Sequence, residues 1–124
     1  MKTNACSFNK NPHPSPSASL KAIADTIYVI GGKWRLQIIV AVSERPRRFN
    51  ELQRLLTGIS ARVLSNELKE LELIGFIVRR VDAQTTPVLI NYTLADYSFS
   101  LHEVVQAMIR WGLSHQELVK HSKP

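Results

Sequence analysis

What this chain has little of narrows its function first. It holds one cysteine in 124 residues, Cys6. One thiol closes no internal disulfide and builds no CxxC redox or metal motif, and it suits a reducing compartment. The histidines at 13, 102, 115 and 121 include no i, i+4 pair and have no partner cysteine nearby, so they carry no metal signature. The longest apolar run, 38–42, is far short of the roughly 20 residues that span a bilayer. No apolar segment follows the first lysine, so no secretory signal is expected. No carboxylate pair and no Ser/His/Asp set can be argued from spacing. Gly31-Gly32-Lys33 lacks the spacing and the following Ser or Thr of a phosphate-binding loop. These absences predict a cytoplasmic protein that is not an enzyme, has no metal or cofactor and does not bind membranes. Acidic residues are also scarce. Ten Asp+Glu face 16 Lys+Arg, for a net +6 and a pI near 9.8. That balance favours a polyanionic partner such as nucleic acid.

What is present centres on residues 47–75. Two apolar-periodic segments meet at Thr57-Gly58-Ile59-Ser60. Gly58 can take a positive φ and close the first helix. Ser60 is a natural N-cap for the second. The spacing predicts a helix-turn-helix at about 50–74, with Asn50 capping its first helix and 60–73 forming its second. In that second helix Leu64, Leu68 and Leu71 fall on one side. Arg62, Ser65, Asn66 and Lys69 fall in an arc on the other, at about 100° per residue.

Around this unit the pattern predicts a mobile arm over 1–17, where Pro12, Pro14 and Pro16 alternate with polar or small residues. The single ordered domain is 18–124. Its first helix, 19–30, ends at Gly31-Gly32. A centrally buried helix follows over 33–43. Two strands at 76–81 and 88–94 make a wing with Gln84, Thr85 and Thr86 at its tip. Asp96 caps a last helix over 97–120. The fold class is mainly α with a small β-hairpin: a winged helix-turn-helix with extra helices at both ends. Leu20, Ile23 and Ile27 form an apolar stripe on the first helix, and Val104, Val105, Met108 and Trp111 form one on the last. A three-helix core covers only one side of each, so both stripes point to a two-fold dimer. Trp34 reads as a core or interface anchor.

Ile30-Gly31-Gly32-Lys33-Trp34, Arg48-Phe49-Asn50-Glu51-Leu52, Gly58-Ile59-Ser60, the run from Leu64 through Gly75, Tyr92-Thr93-Leu94 and Trp111-Gly112 together resemble the HxlR-type family of winged helix-turn-helix transcription regulators. The resemblance spans about 20–113. It implies a homodimer that binds double-stranded DNA and regulates transcription. The chain departs from the family pattern at several points. Lys21 stands where many members carry a cysteine, so thiol-based sensing is not implied. Ala95 and Ser98 replace a threonine and a glycine before the last helix. Leu89 and Asn91 replace a basic and an acidic residue on the second strand.

The candidate contacts follow from chemistry. Arginine can grip guanine O6 and N7, and asparagine adenine N6 and N7, in bidentate fashion. Arg62, Ser65, Asn66 and Lys69 therefore face base edges or nearby phosphates. Ser60 and the helix N-terminus suit a phosphate. Arg45, Arg47 and Arg48 are phosphate anchors. Over 45–80, eight basic residues stand against four acidic ones, so most of the net charge lies where DNA would be. The wing tip carries no Arg or Lys, so its grip falls to hydroxyl and amide groups. A cavity between the wing core and the terminal helices would suit a small effector of unknown identity. The alternative function is a winged-helix module that docks an acidic protein through its basic face.

Overall fold

A computed structural model describes residues 14–122. Cys6, His13 and most of the expected arm lie outside them. The described residues fall into two units that divide after Gly32.

The first unit is helix α1, Pro16–Ile30. Ser15 caps it, its Oγ accepting from the Ala18 N–H at 3.2 Å. Pro16 occupies the first turn, where a missing N–H costs nothing. The helix thus begins inside the stretch 1–17 read as an arm, because proline content there marks a helix start. Leu20, Ile23 and Ile27 are exposed along it, Leu20 to 69%. Lys21 pairs with Asp25 at 3.0 Å.

The second unit holds α2 (Arg35–Glu44), α3 (Phe49–Leu55), α4 (Ala61–Ile74), strands β1 (Ile77–Asp82) and β2 (Leu89–Leu94), a 3-10 turn (Asp96–Leu101) and α5 (His102–Ser122). Its core is Ile38 and Ile39 from α2, Leu52 from α3, Leu64, Leu68 and Leu71 from α4, and Phe76 before β1. Full burial of each such side chain contributes roughly 1.5–3 kcal/mol. Three helices and the hairpin root therefore close around one apolar centre.

The ends of these helices have local causes. α3 starts two residues earlier than Asn50 would allow as its cap, and Arg48 holds the cap position. Glu51 reaches back to accept the Arg48 N–H at 3.0 Å, which is the carboxylate half of a capping box. That bond, aided by Arg45, Arg48 and Arg47 nearby, holds the Glu51 carboxyl below the usual glutamate range. Gly58 turns the corner at φ +94°, a region costly for a residue with a Cβ. Ser60 then caps α4, its Oγ accepting from the Val63 N–H at 3.1 Å. Gly75 closes α4 at φ +98°, donating to the Leu71 and Glu72 carbonyls, each at 3.1 Å.

β1 and β2 pair antiparallel, with Ile77 opposite Leu94 and Arg79 opposite Tyr92. The hairpin has a third, one-residue rung. Arg47 donates its N–H to the Tyr92 carbonyl at 3.0 Å and accepts from the Tyr92 N–H at 2.7 Å. Beyond β2, Asp96 does not cap the last helix. It opens a 3-10 turn whose N-cap position is Ala95, and the last helix starts only at His102. The tighter winding brings buried Ser98 back over Ala95, whose carbonyl accepts from the Ser98 Oγ at 2.6 Å and its N–H at 3.0 Å. Tyr97 stacks on Phe76 at 5.2 Å. Ser98 thus makes two bonds at the position where the resemblance leads one to expect glycine.

α5 is 21 residues long and buries none of them completely. Val105 is half-buried. Val104, Met108 and Trp111 are exposed, Trp111 to 68%, with its ring stacked on His115 at 4.9 Å. A groove of about 490 Å³ runs between α5 and α2–α3, with Leu36, Val40, Leu55, Leu56 and Val105 among its walls. Among the described residues no helix is long and apolar enough to cross a membrane.

Candidate nucleic-acid interface

Three leucines position the candidate surface. Leu64, Leu68 and Leu71 are almost wholly buried, which fixes the face of α4 that turns inward. Arg62, Asn66 and Lys69 project on the far side and are exposed. Ser65 sits at the edge of the arc and is half-buried. Ser60 lies at the N-terminus, where unpaired backbone N–H groups and the positive end of the helix dipole favour an anion. The arc pairs cationic and amide donors on a cylinder about 10–12 Å across, close to the width of a B-DNA major groove.

The arginines ahead of α3 do not behave alike. Arg45 and Arg48 are exposed. Arg45 stands 3.9 Å from Glu51, a loose surface pair. Arg47, expected to anchor phosphate, is instead 9% exposed. Its Nε donates to the Ala41 carbonyl at 2.9 Å and its Nη2 to Glu44. The guanidinium closes the end of α2 while the backbone joins β2, so this cation is not available at the surface. The correction has a tertiary cause: the bridge to Tyr92 turns Arg47 inward, between exposed neighbours on either side.

One residue missed in the sequence joins the surface. Arg79 borders a depression of about 450 Å³ with Ser65, Lys69 and Glu72 of α4. Its register partner Tyr92 and the buried Ile77 identify the strand face that meets α4, since side chains alternate along a strand. Arg80, paired with Asn91, points the other way. Period-two alternation counted from Ile77 was the available signal.

At the wing tip Gln84 and Thr86 are exposed, but Thr85 turns inward. Its Oγ1 lies 3.1 Å from the Asp82 carbonyl and 3.0 Å from that of Pro87. The Gln84 N–H is bound to Asp82 Oδ1 at 3.1 Å. The tip satisfies much of its own polarity. Among the described residues no group of three or more His, Cys, Asp or Glu is placed to hold a metal.

Comparison with known proteins agrees with this geometry. The profile of the HxlR-like helix-turn-helix family matches residues 29–120. The HTH-type transcriptional regulator YybR of Bacillus subtilis is 32% identical over 114 residues, covering 92% of this chain and 89% of that protein. YdzF of the same organism is 34% identical over 90 residues, with 72% and 82% covered. Among solved structures, the redox regulator HypR in its reduced form superposes with a TM-score of 0.74 at 31% identity, covering 81% of this chain and 98% of that one. A MarR-family regulator from Enterococcus faecalis gives 0.70 at 26% identity, covering 96% and 99%.

Proposed function

The chain belongs to the HxlR-like helix-turn-helix family of transcriptional regulators, and from that premise we propose that it binds double-stranded DNA sequence-specifically as a homodimer, with residues 60–73 in the major groove. One observation carries this reading. The exposed arc of Arg62, Asn66 and Lys69 lies directly across α4 from a sealed leucine stripe. The helix therefore presents base-reading chemistry outward and has no freedom to turn it inward.

Arg45, Arg48 and Arg79 supply phosphate contacts around the arc, and the wing contributes little. The dimer is supported by the two terminal helices. Each carries an exposed apolar stripe, Leu20, Ile23 and Ile27 on α1 and Val104, Met108 and Trp111 on α5. A second copy covers each of them. A two-fold dimer places its recognition helices on half-sites about one helical turn apart. Regulation needs no enzymatic step, since the family consists of transcription regulators.

Selection from random duplex DNA at two salt concentrations tests the proposal. The expected result is one near-palindromic motif whose affinity falls steeply as salt rises. Enrichment of no motif, with binding to an acidic protein instead, would sink it.

A further inference from the structure

Arg35 and Glu67 make a contact that neither the core nor the exposed arc requires. Arg35 Nε donates to Glu67 Oε1 at 2.8 Å across 32 positions of sequence, and the two side chains keep only 19% and 27% of their exposure. Arg35 is the first residue of α2, and Trp34 before it offers no side-chain cap. A cation at that end faces the positive pole of the helix dipole. Helix formation alone disfavours arginine there, so tertiary interactions, the Glu67 contact among them, are what favour it. Glu67 sits on α4 beside the buried stripe, about 100° around the helix from Asn66. Leucine side chains fix which face of α4 turns inward, but apolar packing is non-directional and sets the fine angle of that face less sharply. A short charge-assisted hydrogen bond on the flank is directional. A turn of about 20° would carry side chains at roughly 5–6 Å radius sideways by about 2 Å, enough to misalign a bidentate contact.

We propose that Arg35 and Glu67 are a positioning pair that sets the rotation of α4 and so the base specificity of Arg62 and Asn66. The inference rests on the DNA-reading function proposed above. Charge gives it a distinguishing sign. Glu67→Gln removes a negative charge from the DNA-facing helix, so a purely electrostatic role predicts tighter binding to every duplex alike. A positioning role predicts a loss confined to the preferred sequence.

The test uses the full chain and measures affinity for the selected duplex and for a scrambled duplex of equal length, at two salt concentrations, with thermal unfolding alongside. Glu67→Gln should lower the ratio of the two affinities about tenfold, near the cost of one mismatched base pair, while scrambled-duplex binding holds or rises. Exchanging the charges, Arg35→Glu with Glu67→Arg, should recover most of the ratio. Arg35→Lys keeps the charge without the Nε geometry and should fall between; it carries the test if Glu67→Gln unfolds. An unchanged ratio in folded Glu67→Gln or Arg35→Lys overturns the inference, as does an exchanged pair with no recovery. A wild-type ratio of one overturns the DNA-reading proposal itself, and this inference with it.

Discussion

α4 and α5 are both amphipathic, yet only α4 is completed within its own chain. α4 is capped by Ser60 and Gly75 and buries Leu64, Leu68 and Leu71 against the core. α5 is longer and buries nothing completely. Periodicity alone shows that a face needs cover and does not say what provides it. Where the core provides it, the opposite face is fixed in space and can serve recognition. Where the described residues leave it exposed, the face is the kind that commonly marks association.

The sharpest way to break that comparison is a matched pair of truncations. Leu68→Ala should cost about 3 kcal/mol, in the range for buried leucines, at every protein concentration. Met108→Ala should cost little in the isolated chain and show its effect only where copies associate. Chemical denaturation across a hundredfold range of protein concentration separates the two. Equal, concentration-independent losses would mean that α5 is as finished as α4.

A second contrast lies between adjacent arginines. Arg47→Ala should destabilise the fold by about 2 kcal/mol, the scale of hydrogen bonds to a charged group, because it uncaps α2. Arg48→Ala should leave the denaturation midpoint in place and lower the salt dependence of DNA binding by about one counterion. On the association side, Trp111→Ala should weaken self-association about tenfold, as expected for an aromatic anchor. Sedimentation over a dilution series reads it directly.

The smallest effect concerns the entry to α3. Because folding lowers the Glu51 pKa, its stabilisation is present above the ordinary value of 4.5 and is lost as pH falls through the lowered one. Glu51→Gln should flatten the stability profile below about pH 4.5, losing at neutrality the small stabilisation that acid removes from the wild type. A variant profile parallel to the wild type in acid would remove Glu51 from this role.

These cases also separate what was legible in the residues from what was not. Helix α4, its serine cap and its glycine stop follow from local chemistry, and the hairpin from its two apolar runs. The family resemblance pointed the same way and now agrees with the profile match. The cap at Arg48 was not legible, because it depends on Glu51 reaching backward past Asn50. The fate of Arg47 was not legible either, since it is decided by Ala41 and Tyr92, distant elements that only folding brings together. Arg79 was separable from Arg80 by period-two alternation from Ile77, but which strand face meets α4 is decided only by folding. The 3-10 turn at Asp96–Leu101 combines local Ser98 bonds to the Ala95 carbonyl with the stacking of Tyr97 on Phe76, a contact only folding supplies.

The central claim is that the outward arc of α4 reads bases, twice, in a two-fold complex. The most direct measurement is selection from random duplex DNA carried out in parallel with the wild type and Arg62→Ala. The account predicts that the variant loses preference at one base pair in each half-site, at symmetric positions, and keeps the rest of the motif. An identical motif from both proteins would contradict it.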